Sequence, residues 1–220
     1  MKVVLCYGDS NTYGYVPGTG ARYPFEKRWT GVLQKQLGCD VRVIEQGLSG
    51  RTTIVDDPAR ADKNGATFLP QCLESHSPVD VLVLMLGTND ILQQSSATVQ
   101  DASRGVSKLI DLMTATCLRL DLPVPQVLLV APPLLSEQKT EERVEQRTEN
   151  SAENKLTSSI QAVKTHDFSE QYRAIANEQQ CAFLDAAQLV SASNIDGIHL
   201  DEDAHQKLGV EIARMADEML

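Results

Sequence analysis

The sequence predicts an α/β protein built in three layers, α/β/α, around a mostly five-stranded parallel sheet. Three observations lead there. Short apolar runs rich in Val, Leu and Ile recur along the chain, segments of helical periodicity separate them, and small polar residues follow each run where a strand would end. Near-continuous apolar runs suit parallel strands covered on both faces, and their alternation with helices is the pattern of a doubly wound domain.

The first run, residues 3–7, leads into Gly8-Asp9-Ser10-Asn11-Thr12. Trp29, Val32, Leu33 and Leu37 then recur on one helical face, which makes Trp29 a core residue of a first amphipathic helix. A second run at 41–44 precedes Gly47-Leu48-Ser49-Gly50-Arg51-Thr52-Thr53, and a third at 79–86 precedes Gly87-Thr88-Asn89-Asp90. Val106, Leu109, Ile110, Met113 and Leu118 mark another amphipathic helix before the fourth run, 127–130, and its Pro132-Pro133. A weaker fifth run at 181–184 is followed by Asp196-Gly197-Ile198-His199-Leu200 and a last helix carrying Leu208, Ile212, Met215 and Leu220. In a parallel sheet function gathers at the carboxyl ends of the strands, so these loops should converge on one edge.

Size and charge narrow the field. At 220 residues the chain suits a single domain spanning 1–220. Its formal net charge is −10, which argues against a nucleic-acid partner, since a phosphate backbone demands a Lys/Arg surface, and against docking on an anionic membrane. The acidity is uneven: residues 1–135 carry 12 basic and 13 acidic side chains, whereas 136–220 carry 8 and 17. An acidic surround favours neutral substrates over anionic ones such as acyl-CoA. Segment 136–165 is polar and reads as a solvated excursion or a lid within the domain. Five cysteines without paired spacing read as buried reduced thiols, and His76 and His166 as surface residues without partners. The N-terminal apolar run is too short for a signal peptide and no stretch reaches the ~18 apolar residues of a membrane span, so a soluble cytoplasmic protein is expected.

Chemistry enters through residues that are uninformative singly. Ser10 follows the first strand, where a turn would project its hydroxyl, yet a Ser there is equally a helix N-cap. Asp196 and His199 stand three apart with Gly197 between them. A hydroxyl becomes nucleophilic when a base takes its proton, and an imidazole serves best when a carboxylate on its other nitrogen fixes the tautomer. A tetrahedral oxyanion further needs preorganised donors, which the Ser10 N–H, the Gly50 N–H and the Asn89 amide can offer. Their joint occurrence at successive strand ends points to acyl transfer.

Gly8-Asp9-Ser10, Gly50, Gly87-Thr88-Asn89-Asp90 and Asp196-Gly197-Ile198-His199 resemble, in order and spacing, the four blocks of the SGNH hydrolases, the GDSL esterases and lipases. The resemblance implies a flavodoxin-like sheet, a catalytic triad of Ser10, Asp196 and His199, and an oxyanion hole of Ser10, Gly50 and Asn89. It implies no cofactor. Arg28-Trp29-Thr30-Gly31-Val32-Leu33 and Glu45-Gln46-Gly47-Leu48-Ser49-Gly50-Arg51-Thr52-Thr53 are similar to the arylesterase and acyltransferase branch. That branch implies hydrolysis of short-chain aryl or alkyl esters, transfer to alcohols and a homo-oligomer. Asp9, Asn11, Tyr15 and Thr88 are the candidate substrate contacts beside the site.

Other chemistries fit less well. Gly-x-Ser-x-Gly, GxGxxG and P-loop patterns are absent. Asp196, His199, Asp201, Asp203 and His205 could be drawn as a metal site, but their spacing follows no established ligand pattern, and no metal is expected. Tyr13, Tyr15, Tyr23 and Trp29 near Ser10 leave open a carbohydrate O-acetyl esterase or, from a different class, a non-catalytic sugar-binding module.

Overall fold

A computed structural model describes residues 1–56, 60–93, 97–136 and 165–220. Among these the elements run β1 (Lys2–Gly8), α1 (Ser10–Tyr13), α2 (Trp29–Leu37), β2 (Val41–Gly47), α3 (Gly65–His76), β3 (Val81–Met85), α4 (Thr88–Gln93), α5 (Val99–Arg119), β4 (Gln126–Ala131), α6 (Phe168–Glu178), β5 (Ala182–Asp185) and α7 (Glu202–Met219). The five strands form one parallel sheet in the order β2-β1-β3-β4-β5.

Alternate residues of the strands face opposite helical layers. Leu5, Tyr7, Leu82 and Leu84 pack with Leu69 of α3, Leu109 of α5 and Tyr172 of α6. Val4, Cys6, Val83 and Leu128 pack on the other face with Trp29 and Leu33 of α2 and Leu208 and Ile212 of α7. Burial on both faces explains why these strands read as continuous apolar runs rather than alternating ones. The registers Gly8↔Gly47 and Gly8↔Met85 end β1, β2 and β3 level with one another. From β1 the chain moves out to β2 and returns to β3 on the far side, so the sheet's switch point, where a crevice opens, falls at the end of β1.

Several expectations change in detail. Leu118 is 70% exposed and Cys117 takes its place in the core, because Cys117 follows Met113 by four residues and stays on the buried face of α5. Cys39 is exposed and Cys181 half-buried, so only Cys6, Cys72 and Cys117 are buried thiols; all five are free. His76 is half-buried, with Nε2 at 3.1 Å from the Gln46 amide. Most of the polar segment, residues 137–164, lies outside the described residues, as does the His166 side chain. Among the described residues no helix is long and apolar enough to cross a membrane.

Candidate active site

The turn leaving β1 is tight. A Cβ on Gly8 would stand 2.0 Å from Thr12 Oγ1 and 2.8 Å from the Met85 carbonyl, so only glycine fits there. Asp9 then caps α1, its Oδ1 accepting from the Asn11 N–H at 2.9 Å. Ser10 opens the helix at the mouth of the switch-point crevice.

Across from it, the loop before α7 presents its own pair. Asp196 Oδ1 accepts from the backbone N–H groups of Ile198 and His199, both at 3.0 Å, folding the loop around Gly197, whose φ of 72° is left-handed. Asp196 Oδ2 lies 2.7 Å from His199 Nδ1, and His199 Nε2 lies 3.0 Å from Ser10 Oγ. Burial pushes the Asp196 carboxyl up, but hydrogen bonds from the His199 ring and backbone outweigh it and hold the group well below the usual carboxylate range. An ionised acceptor thus faces Nδ1 and leaves Nε2 to act on the hydroxyl. The sequence-derived trio is therefore brought into one hydrogen-bonded line.

Asn11 ties the two loops together. Its Oδ1 accepts from the Leu200 N–H at 3.0 Å and its Nδ2 donates to the Ile198 carbonyl at 3.4 Å. Asn11 and Asp9 are both buried, and their polar atoms bond to neighbouring protein groups that frame the site. Thr88, the first residue of α4, is likewise buried. Tyr15 sits against the His199 ring, with centroids 4.1 Å apart.

The candidate oxyanion donors follow the ends of β1, β2 and β3. Arg51 Nη1 donates to the Gly8 carbonyl at 2.8 Å and to the Gln46 carbonyl, and its guanidinium covers the Tyr7 ring at 4.1 Å. This clamps the Gly47–Thr53 loop to the end of β1. Asn89 Nδ2 donates to the Arg51 carbonyl at 3.0 Å and to Asp9 Oδ2 at a looser 3.4 Å. Among the described residues the N–H groups of Ser10 and Gly50 have no acceptor. Gly50 adopts φ 81°, a conformation that an L side chain rarely takes.

Residues 6–207 match the profile of the GDSL-like lipase/acylhydrolase family. The chain belongs to this family, the SGNH hydrolases. It is 37% identical to the aryl esterase of M. smegmatis, with a TM-score of 0.86 over 100% of both chains. It is 34% identical to Est24, a carbohydrate acetylesterase from Sinorhizobium meliloti, with a TM-score of 0.86 over 100% of both chains. No curated protein matches the chain.

The SGNH frame of this chain also relies on residues to which motif reading assigns no role. The Gly18 N–H donates to Asp196 Oδ2 at 3.3 Å, from a turn rich in Gly and Pro. Asp90 accepts from Thr53 through both its N–H (3.0 Å) and its hydroxyl (2.5 Å), pinning the far end of the Gly50 loop to α4. Burial pushes both Asp9 and Asp90 up to about 6, the Asn11 N–H and the His199 charge opposing it at Asp9 and the Thr53 donors opposing it at Asp90. The would-be metal ligands disperse: Asp201 caps α7 through the Ala204 N–H, and His205 Nδ1 accepts from the Trp29 N–H at 3.2 Å. Among the described residues no three His, Cys, Asp or Glu side chains are grouped to hold a metal. Of the four aromatic residues, Trp29 is in the core, Tyr13 lies under Arg22, Tyr23 meets His205 edge-on, and Tyr15 stays at the site against His199.

Proposed function

We propose that this SGNH hydrolase is a serine esterase that cleaves short-chain carboxylic esters, C2 to C4, through an acyl-enzyme. The observation that carries the reading is the placement of His199 between Ser10 Oγ at 3.0 Å and Asp196 Oδ2 at 2.7 Å. His199 Nε2 takes the Ser10 proton as Oγ attacks the ester carbonyl, and Asp196 steadies the imidazolium. The Ser10 and Gly50 N–H groups and the Asn89 amide receive the oxyanion. Asn89 can do so with the hydrogen that lies only loosely toward Asp9, at 3.4 Å, while the one on the Arg51 carbonyl keeps the side chain in place. Collapse expels the alcohol, which takes the proton from His199. Water, activated by the same His199, then releases the acid; an alcohol in its place gives acyl transfer.

Likeness to an aryl esterase and to a carbohydrate acetylesterase supports aryl acetates and acetylated sugars as the substrates to try first. Ser10→Ala and His199→Ala are each expected to abolish p-nitrophenyl acetate turnover with far-UV circular dichroism unchanged; full activity in either would overturn the reading. An acyl series from C2 to C12, run beside acetylated xylose, should give its highest kcat/KM at C2 to C4. A steady rise toward C12 would refute the chain-length assignment.

A further inference from the structure

Lys63 ends a 3₁₀ turn, Ala61–Lys63, that runs alongside the Gly50 loop. Its carbonyl accepts from the Thr52 N–H at 3.0 Å, and a parallel bridge between Thr52 and Asn64 fixes the two segments together. From this anchored backbone the half-buried Lys63 side chain reaches back along the loop. Its Nζ donates to the Ser49 carbonyl at 2.6 Å. The stem passes 3.7 and 3.8 Å from the place where a Cβ on Gly50 would stand. Gln93, at the end of α4, donates from Nε2 to the Gly50 carbonyl at 3.0 Å.

The Ser49 carbonyl and the Gly50 N–H belong to one peptide unit. That unit is planar and trans, so a carbonyl held toward Lys63 aims the N–H the opposite way, away from Lys63. A bond from an ammonium to a carbonyl oxygen is charge-assisted, stronger and shorter than a neutral one. It draws amide electron density toward oxygen and leaves the N–H more positive, hence a better donor. The Gly50 N–H, like that of Ser10, has no acceptor among the described residues.

We propose that Lys63 is a positioning residue of the oxyanion hole, holding and polarising the Ser49–Gly50 peptide so that its N–H meets the developing negative charge of the tetrahedral intermediate. This rests on the esterase reading above, in which Gly50 is an oxyanion donor. Lys63 touches no reacting atom; it acts through the peptide, with Gln93 steadying the next one. A preorganised dipole of this kind acts when charge develops and contributes little to ground-state binding, so its signature is in kcat and not in KM.

The test is Lys63→Met, which keeps the stem and removes the ammonium. With p-nitrophenyl acetate kcat should fall about tenfold while KM stays within about twofold, since a donor is weakened but not removed. Affinity for a trifluoromethyl ketone, whose hemiketal oxyanion fills the same hole, should fall by a similar factor. Lys63→Arg, with charge and donors restored, should recover most of both losses. Lys63→Gln, which keeps a donor without the charge, should fall between, and it decides the matter if Lys63→Met does not fold. An active wild type beside a Lys63→Met or Lys63→Gln with unchanged kcat and ketone affinity would overturn the role of Lys63 alone, as would an arginine variant as impaired as the methionine one. A wild type that turns over no ester would overturn the esterase reading and the Lys63 role with it.

Discussion

Tyr15 stacks on the imidazole of His199, with ring centroids 4.1 Å apart and planes 27° from parallel. The strap that carries it closes through the antiparallel bridge Tyr15↔Arg22 and sends the Gly18 N–H to Asp196 Oδ2 at 3.3 Å. One strap thus supports both partners of the proposed acid–base pair, the ring against the histidine and the amide on the carboxylate.

A π face beside an imidazolium favours its charge by about 0.5–2 kcal/mol. Tyr15→Ala is therefore expected to lower kcat for p-nitrophenyl acetate by roughly 2- to 30-fold, while Tyr15→Phe, which keeps the face, stays near wild type. Steady-state kinetics on the two variants decides it: equal losses would assign Tyr15 to the substrate through its hydroxyl.

Asp196→Asn tests the tautomer. The carboxamide keeps the shape of the side chain but can turn a donor toward His199 Nδ1, which would leave Nε2 protonated and unable to take the Ser10 proton. A loss in kcat on the order of 10³–10⁴ is expected with KM little changed. A fall of less than about tenfold would mean that Asp196 only shapes the loop.

The sheet was legible in the sequence because fully covered parallel strands leave unbroken apolar runs. Ser10, Asp196 and His199, uninformative singly, were legible only together, through the order and spacing of the blocks that hold them. Helices α3 and α6 were not picked out, although Leu69, Cys72 and Leu73 carry helical spacing; Pro70 interrupts the first of them. Less legible still are residues whose roles exist only across the fold. Lys63 meets Ser49 from 14 residues away and Asp90 meets Thr53 from 37; neither spacing repeats, so nothing local marks the pair. Asp9 and Asn11 stood in the right motif, but their bonds to the Leu200 N–H, the Ile198 carbonyl and the Asn89 amide exist only across the fold, where a motif does not reach.

Asp90 makes a stability prediction with a definite sign. Its folded value, pushed up to about 6, lies above the ordinary 3.8. The native state therefore holds its proton more tightly than the unfolded chain. That contribution is complete below pH 3.8 and is lost as pH rises through 6, a difference of about 3 kcal/mol. Asp90→Asn removes it, so the variant should gain on wild type between pH 4 and pH 7 in urea unfolding. A gap that is constant with pH would show that Asp90 is not a buried, strained carboxylate.

His205 runs in the opposite direction. It is fully buried, Nδ1 accepts from the Trp29 N–H, and Nε2 has no hydrogen-bond partner among the described residues. Burial pulls it down to about 4 from an ordinary 6.5, with Arg28 and His199 adding to the effect and Asp201 opposing it. Here the unfolded chain binds the proton first. The stability that neutral His205 contributes is present above pH 6.5 and is lost as pH falls toward 4, again about 3 kcal/mol in all. His205→Phe fills the same core but leaves the Trp29 N–H without its acceptor, at a cost of about 1–3 kcal/mol near neutrality. Because phenylalanine does not titrate, wild type should give up about 2–3 kcal/mol relative to the variant between pH 7 and pH 4.5, narrowing or reversing the gap. Asp9 and Asp90 titrate in the same range with the other sign, so the quantity to read is the difference between variant and wild type at each pH, not either curve alone. A gap that widens on acidification would mean that His205 accepts its proton within the fold, on an Nε2 that is not sealed from water.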